Sequence, residues 1–176
     1  MAKKRVLVII APLDFSDELT VTLKNLLEES GFQIDISSTM KGTARGVNGT
    51  MIPISMDLKE ADPADYLGAV LIGGPGFVRY FSSYRVLRGK LVEMHESGRL
   101  LAAVGEAVLL LARIGVLKGK KAADPEDQEM KSTLQTEGAS IEKTQVVFDN
   151  GILTASKKVH PSELSSRVLE HLLVAS

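Results

Sequence analysis

The sequence predicts an α/β protein, a three-layer sandwich built on a mostly parallel, doubly wound sheet. Three observations lead there. Arg5–Ala11, RVLVIIA, is an unbroken run rich in β-branched residues, the pattern of a strand buried on both faces. Runs of this kind alternate with segments of helical period along the whole chain. Glycines stand where the helical patterns stop, at Gly31, Gly98, Gly115 and Gly138.

The elements follow in order. Ser16–Ser30 places Leu19, Leu23, Leu26 and Leu27 at helical spacing, and Phe32–Ser37 alternates as a second strand. Lys41–Pro53 is rich in Gly, Thr and Asn and has no strong period, so it reads as loop or short edge strands. Ala69–Ile72, AVLI, is another buried strand and runs into Gly73-Gly74-Pro75-Gly76. Tyr84–Ser97 is a helix with Val86, Leu87, Leu91 and Met94 on one face. Leu100–Leu117, LLAAVGEAVLLLARIGVL, is a strand, a turn at Gly105-Glu106 and a second helix. Asp127–Glu137 is a polar helix. Gln145–Phe148 and Ile152–Ala155 flank Asn150-Gly151, a strong hairpin signal, and Pro161–Ala175 is the last helix.

Composition narrows the functional classes. A chain of 176 residues with 44% hydrophobic and 24% charged residues reads as one globular domain, 1–176, with a sizeable core. Lys plus Arg is 21 against 22 Asp plus Glu, a net charge of −1, so no electrostatic argument favours nucleic acid or an acidic membrane surface. No apolar run approaches the roughly 20 residues that span a bilayer. MAKKRVLVIIAPLD reads as a strand rather than a signal peptide, and the expected location is the cytoplasm. The cysteine count is 0, which removes disulfides, thiolate metal sites and cysteine nucleophiles together. His95, His160 and His171 are widely spaced and show no metal-ligand pattern, so no metal and no cofactor is expected.

Ligands of open α/β sheets sit beyond the carboxyl ends of the strands. The informative residues are therefore those that follow each strand. They are Asp14, Ser16, Asp17 and Glu18; then Gly73–Gly76; then Gly105 and Glu106; then Asp124 and Glu126; then Lys157, Lys158 and His160. These segments are expected to converge on one crevice. Asp14, Ser16 and Asp17 also fit helix capping. The glycines at 73–76 fit either a tight turn or an anion cradle, without the Lys-Ser/Thr of a P-loop. Lys157, Lys158 and His160 fit either a solvated loop or a counter-charge to an acidic crevice.

These segments resemble the ThiJ/PfpI branch of the class I glutamine amidotransferase-like superfamily. The resemblance rests on RVLVIIAP with Glu18 beyond it, on YLGAVLIGGPG at Tyr66–Gly76, on Gly98–Ala122 and on VVFDNGILTAS at Val146–Ser156. It implies a flavodoxin-like sandwich and a homo-oligomer, most simply a dimer. It also implies a cysteine nucleophile at the turn after LLAAV, assisted by a glutamate on the first helix and by backbone N–H groups of the Gly-Gly turn. Carried over, the nucleophile position is Gly105, its neighbour is Glu106, the glutamate is Glu18 and the N–H donor is Gly74, with Pro75 lacking an N–H. Glycine has no side-chain heteroatom and cannot be the nucleophile. It also adopts elbow angles without the strain, about 1–3 kcal/mol, that another residue stores there.

Two readings of the site follow. In the first, the protein is non-catalytic and keeps a remodelled crevice for a small ligand or a partner, lined by Glu18, Gly74, Gly105, Glu106 and Asp124. In the second, it is a hydrolase or lyase-type enzyme that uses Glu18 and Glu106 as a carboxylate pair, for acid–base work or to hold a hard cation with Asp14 or Asp124. Glu106 decides between them, since a carboxylate in the first turn of a helix is also stabilised simply by the helix dipole.

Overall fold

A computed structural model describes residues 4–176. In chain order the elements are β1 (Arg5–Ile9), β2 (Leu13–Phe15), α1 (Asp17–Glu29), β3 (Gln33–Ser38), β4 (Gly42–Gly46), β5 (Met51–Ile54), β6 (Met56–Asp57) and β7 (Gly68–Ile72). Then come α2 (Pro75–Phe81), α3 (Arg85–Glu96), β8 (Leu100–Val104), α4 (Ala107–Arg113) and β9 (Lys121–Ala123). The chain ends with α5 (Gln128–Thr136), β10 (Ser140–Glu142), β11 (Val146–Asp149), β12 (Ile152–Ala155) and α6 (Pro161–Ala175).

The main sheet has seven strands in the order β11-β12-β8-β7-β1-β3-β6. Every neighbouring pair is parallel except β11 with β12. The chain winds outward from β1 through β3 to β6. It then returns to the other side of β1 and winds outward through β7, β8 and β12. The order therefore reverses between β1 and β7, and a doubly wound sheet opens its crevice at such a point.

Residue alternation explains the three layers. On β1, Leu7 and Ile9 point into a core shared with Phe77, Leu91 and Leu111. Val6, Val8 and Ile10 point the other way, into a core shared with Leu23, Leu27, Leu164 and Val168. Both faces of the strand are buried, which is why the run is apolar throughout rather than alternating. Helices α2 to α5 cover one face, and α1 and α6 pack together over the other.

Three segments differ from the sequence expectation. The stretch at 41–53 is an antiparallel hairpin, β4 with β5, that joins β2 in a separate three-stranded sheet. Gly73–Gly76 is not only a turn, because α2 starts at Pro75. Pro75 occupies a first-turn position, where an N–H would find no helical partner, so its missing donor is no loss to the helix. Finally, β9 pairs with β10 in its own two-stranded sheet and does not join the main one. The hairpin at Asn150-Gly151 forms as expected, with φ of 50° and 85°.

Candidate functional site

The carboxyl ends of the central strands are laced together by backbone hydrogen bonds. Gly73 N–H donates to the Val104 carbonyl at 3.0 Å, Gly105 N–H to the Ala155 carbonyl at 2.9 Å, and Ser16 N–H to the Gly73 carbonyl at 3.3 Å. Above this lacing lies a crevice of about 440 Å³. Its walls come from Ser16–Leu19, from Gly73–Pro75, from Val104–Glu106 and from Lys157. Val47 and Asn48, at the tip of the β4–β5 hairpin, close the remaining side.

The elbow itself is Gly105, with φ 62°. This is the left-handed region that β8 must enter to turn sharply into α4, and glycine enters it freely. The space beside it is already claimed, since a Cβ on Gly105 would lie 3.2 Å from the Lys157 Cβ. Gly73 and Gly74 are required by close approach. A Cβ on Gly73 would collide with the Val104 carbonyl and lie 2.9 Å from Glu106 Oε2. Gly74, at φ 150°, passes against the Asp14 carbonyl.

Glu106 stands at the N-cap of α4 in helical conformation, half-buried, and its side chain makes no capping hydrogen bond. Glu18 is exposed in the first turn of α1. Lys157 is exposed on the far side of the elbow from Gly73. Among the described residues none of the three forms an ion pair.

Asp17 behaves differently. It is only 7% exposed, and its two oxygens accept the Asn48 and Thr50 N–H groups, each at 2.9 Å. Gly46 passes so close to that carboxylate that any side chain there would strike it. Burial alone would raise the Asp17 pKa, but the N–H donors outweigh it and hold the carboxyl below its ordinary value. Asp17 therefore pins the hairpin tip rather than capping α1. Ser16 holds the N-cap position and makes no side-chain cap either. Asp14, with φ 61°, faces Arg79 at 3.5 Å.

Glu18, Gly74, Gly105 and Glu106 thus meet in one crevice, and Asp124 does not join them. It lines a separate depression of about 220 Å³ with Glu126 and Lys143. There it accepts the Glu126 N–H at 2.9 Å and lies 3.5 Å from Lys131. The reason is topological, since β9 leads into a different sheet. Lys158 turns toward Glu126 at 3.5 Å, and His160 caps α6 by accepting the Ser162 N–H at 3.3 Å. Only Lys157 of that basic group reaches the crevice. No cluster of three or more His, Cys, Asp or Glu that could hold a metal occurs among the described residues, and neither Asp14 nor Asp124 lines the crevice with the two glutamates. The hairpin wall was missed in the sequence, although Asn48-Gly49 carried its turn signal.

The comparisons with known proteins agree with this geometry. An uncharacterized protein of Methanocaldococcus jannaschii, MJ0967, is 33% identical over 155 residues, covering 88% of this chain and 76% of that protein. Deglycase TK1284 of Thermococcus kodakarensis is 26% identical over 140 residues, covering 78% of this chain and 80% of the relative. The crystal structure of a ThiJ/PfpI domain protein from Brachyspira murdochii superposes with a TM-score of 0.92 over 99% of both chains at 23% identity, a likeness of fold. Residues 4–171 match the DJ-1/PfpI family, and the chain belongs to that family.

Proposed function

We propose that the protein is a non-catalytic member of its family, one that keeps the fold and uses the remodelled crevice to bind a small ligand. The observation that carries this reading is glycine at the elbow, φ 62°, in a chain with 0 cysteines. The turn that would present a nucleophile is intact, and nothing stands on it to attack a substrate. A crevice of about 440 Å³ suits a small molecule rather than a macromolecule. The same reading takes the protein to be a cytoplasmic homodimer, as the family resemblance implies. Light scattering on the purified protein checks the dimer.

A relative named a deglycase makes deglycation the first activity to assay, followed by glyoxal consumption, amidase and peptidase activity. The expected rate is that of buffer. Turnover that survives a second purification and disappears in Glu18→Ala would overturn the proposal.

A second reading has one specific observation in its favour. Glu18 and Glu106 face the same crevice, and neither has an ion-pair partner among the described residues. A carboxylate pair of that kind can shuttle a proton, and such an enzyme has a bell-shaped pH–rate profile. A flat zero at every pH across the substrate panel removes this reading.

A further inference from the structure

The crevice holds charges of both signs that do not satisfy one another. Glu18 and Glu106 are its anions that form no ion pair among the described residues, and Lys157 is its cation. Some charged side chains elsewhere do pair, including on the open surface, while others such as Arg45, Arg113 and Lys118 make no pair among the described residues. Lys158, the next residue along, reaches Glu126 at 3.5 Å although the two side chains are 61% and 38% exposed. Lys157 makes no such pair, with two glutamates lining the same cavity. The backbone explains why the charges stay apart. The Lys157 stem packs on one side of the elbow, 3.2 Å from the position a Cβ of Gly105 would take. The Glu106 carboxylate lies on the other side, 2.9 Å from the position a Cβ of Gly73 would take. Glycine 105 separates them. The remaining acid of the crevice, Asp17, is occupied by the Asn48 and Thr50 N–H groups. Apolar residues, Leu19, Val47, Val104 and Pro75, also line the crevice.

We propose that the crevice binds a zwitterion of the α-amino-acid class, with its ammonium toward Glu18 and Glu106 and its carboxylate toward Lys157. This deepens the small-ligand reading of the same crevice and rests on it. Three features carry the assignment. The cavity, about 440 Å³, has room for a molecule of amino-acid size. The lining carries both signs of charge, so an ordinary anion or cation satisfies only one of them. The acids outnumber the lysine, so the ammonium contributes more to affinity than the carboxylate does.

The test is a titration of the full-length protein followed by backbone amide NMR, with three probes. They are L-leucine, L-leucinamide, which lacks the carboxylate, and N-acetyl-L-leucine, which lacks the ammonium. L-Leucine is expected to shift the amides of Gly105, Glu106 and Asn48. L-Leucinamide should bind more weakly, and N-acetyl-L-leucine about tenfold more weakly or worse. Glu106→Gln should weaken L-leucine and L-leucinamide alike. Lys157→Met should weaken L-leucine and leave L-leucinamide unchanged, a split that general structural damage does not produce. The proposal is overturned if N-acetyl-L-leucine binds as tightly as L-leucine, or if no probe shifts these amides in the wild type. Enzymatic turnover by the wild type would instead remove the non-catalytic reading and leave this one standing.

Discussion

The two ends of the sheet treat charge in opposite ways. At the amino end, Arg5 donates to Asp35 at 2.6 Å, the Tyr66 hydroxyl donates to the same carboxylate at 3.0 Å, and Asp65 lies 3.4 Å from Arg5. Arg99 holds the Tyr66 carbonyl at 2.5 Å. The Asp35 hydrogen bond holds the Arg5 guanidinium charged, and burial followed by Asp35 raises the Tyr66 hydroxyl above its ordinary pKa. At the carboxyl end, Glu18, Glu106 and Lys157 share a cavity and make no ion pair among the described residues. A network with every member satisfied is what a fold uses to hold itself together. Under the proposed reading, charges without partners in a concave site add little to folding and serve to bind a ligand. Natural proteins give up some stability at functional sites in this way.

Substitutions at the two ends should therefore separate cleanly. The largest loss of stability is expected from Asp35→Ala, which leaves the Tyr66 hydroxyl without its acceptor and the Arg5 charge with only the exposed Asp65. Urea denaturation should show a loss of about 3 kcal/mol. If Asp35→Ala proves as mild as a surface change, the amino-end network is not structural and the contrast fails.

Asp17 stands between the two regimes, a satisfied carboxylate within the functional end. Asp17→Ala leaves two hairpin N–H groups without their acceptor and should cost about 1–3 kcal/mol. Amide exchange at Asn48 and Thr50 should accelerate beyond the change in global stability. The pH dependence has a definite sign. The folded pKa is lowered, so the contribution is complete above the ordinary carboxylate pKa and is lost as pH falls through the folded value. In Asp17→Asn that acid-side slope should shrink.

Gly105→Ala places a Cβ at φ 62° and 3.2 Å from the Lys157 Cβ. The expected cost is about 1–2 kcal/mol by thermal or urea denaturation. Partial relief of that cost by Lys157→Gly in the same chain, which removes the Cβ in contact, would show that Lys157 has taken the room of the elbow side chain. The smallest effects are expected from Glu18→Gln, Glu106→Gln and Lys157→Met, each within about 0.5 kcal/mol of the wild type. A larger loss at any of the three would mean that its charge has a structural partner.

Much of this was legible in the sequence, and the parts that were not have physical reasons. The strand at Arg5 and the elbow at Gly105 announce themselves, because a two-faced apolar run and a strand-Gly-helix junction have few alternative folds. The hairpin at 42–54 was obscured because it is half exposed and the buried positions of β4, Ala44 and Gly46, are too small to mark an apolar face. Helix α2 has seven residues, too few to show a period, and its glycines read as loop. Asp17 and Glu18 are neighbours of the same charge, and only the fold shows that one turns inward to the hairpin and the other outward to the crevice. Asp124 was misplaced because β9 looks like a strand of the main sheet. The rule that ligands gather at strand ends applies only to strands that share a sheet. Lys157 and Lys158 diverge for the ordinary reason that adjacent residues point apart.

The central claim is that the elbow is silent because nothing on it can attack. The most direct test is the deglycation rate of repurified wild type, measured beside Glu18→Gln and Glu106→Gln. The account predicts that all three stay at the buffer rate. A wild-type rate above buffer that falls in either carboxylate variant would contradict it.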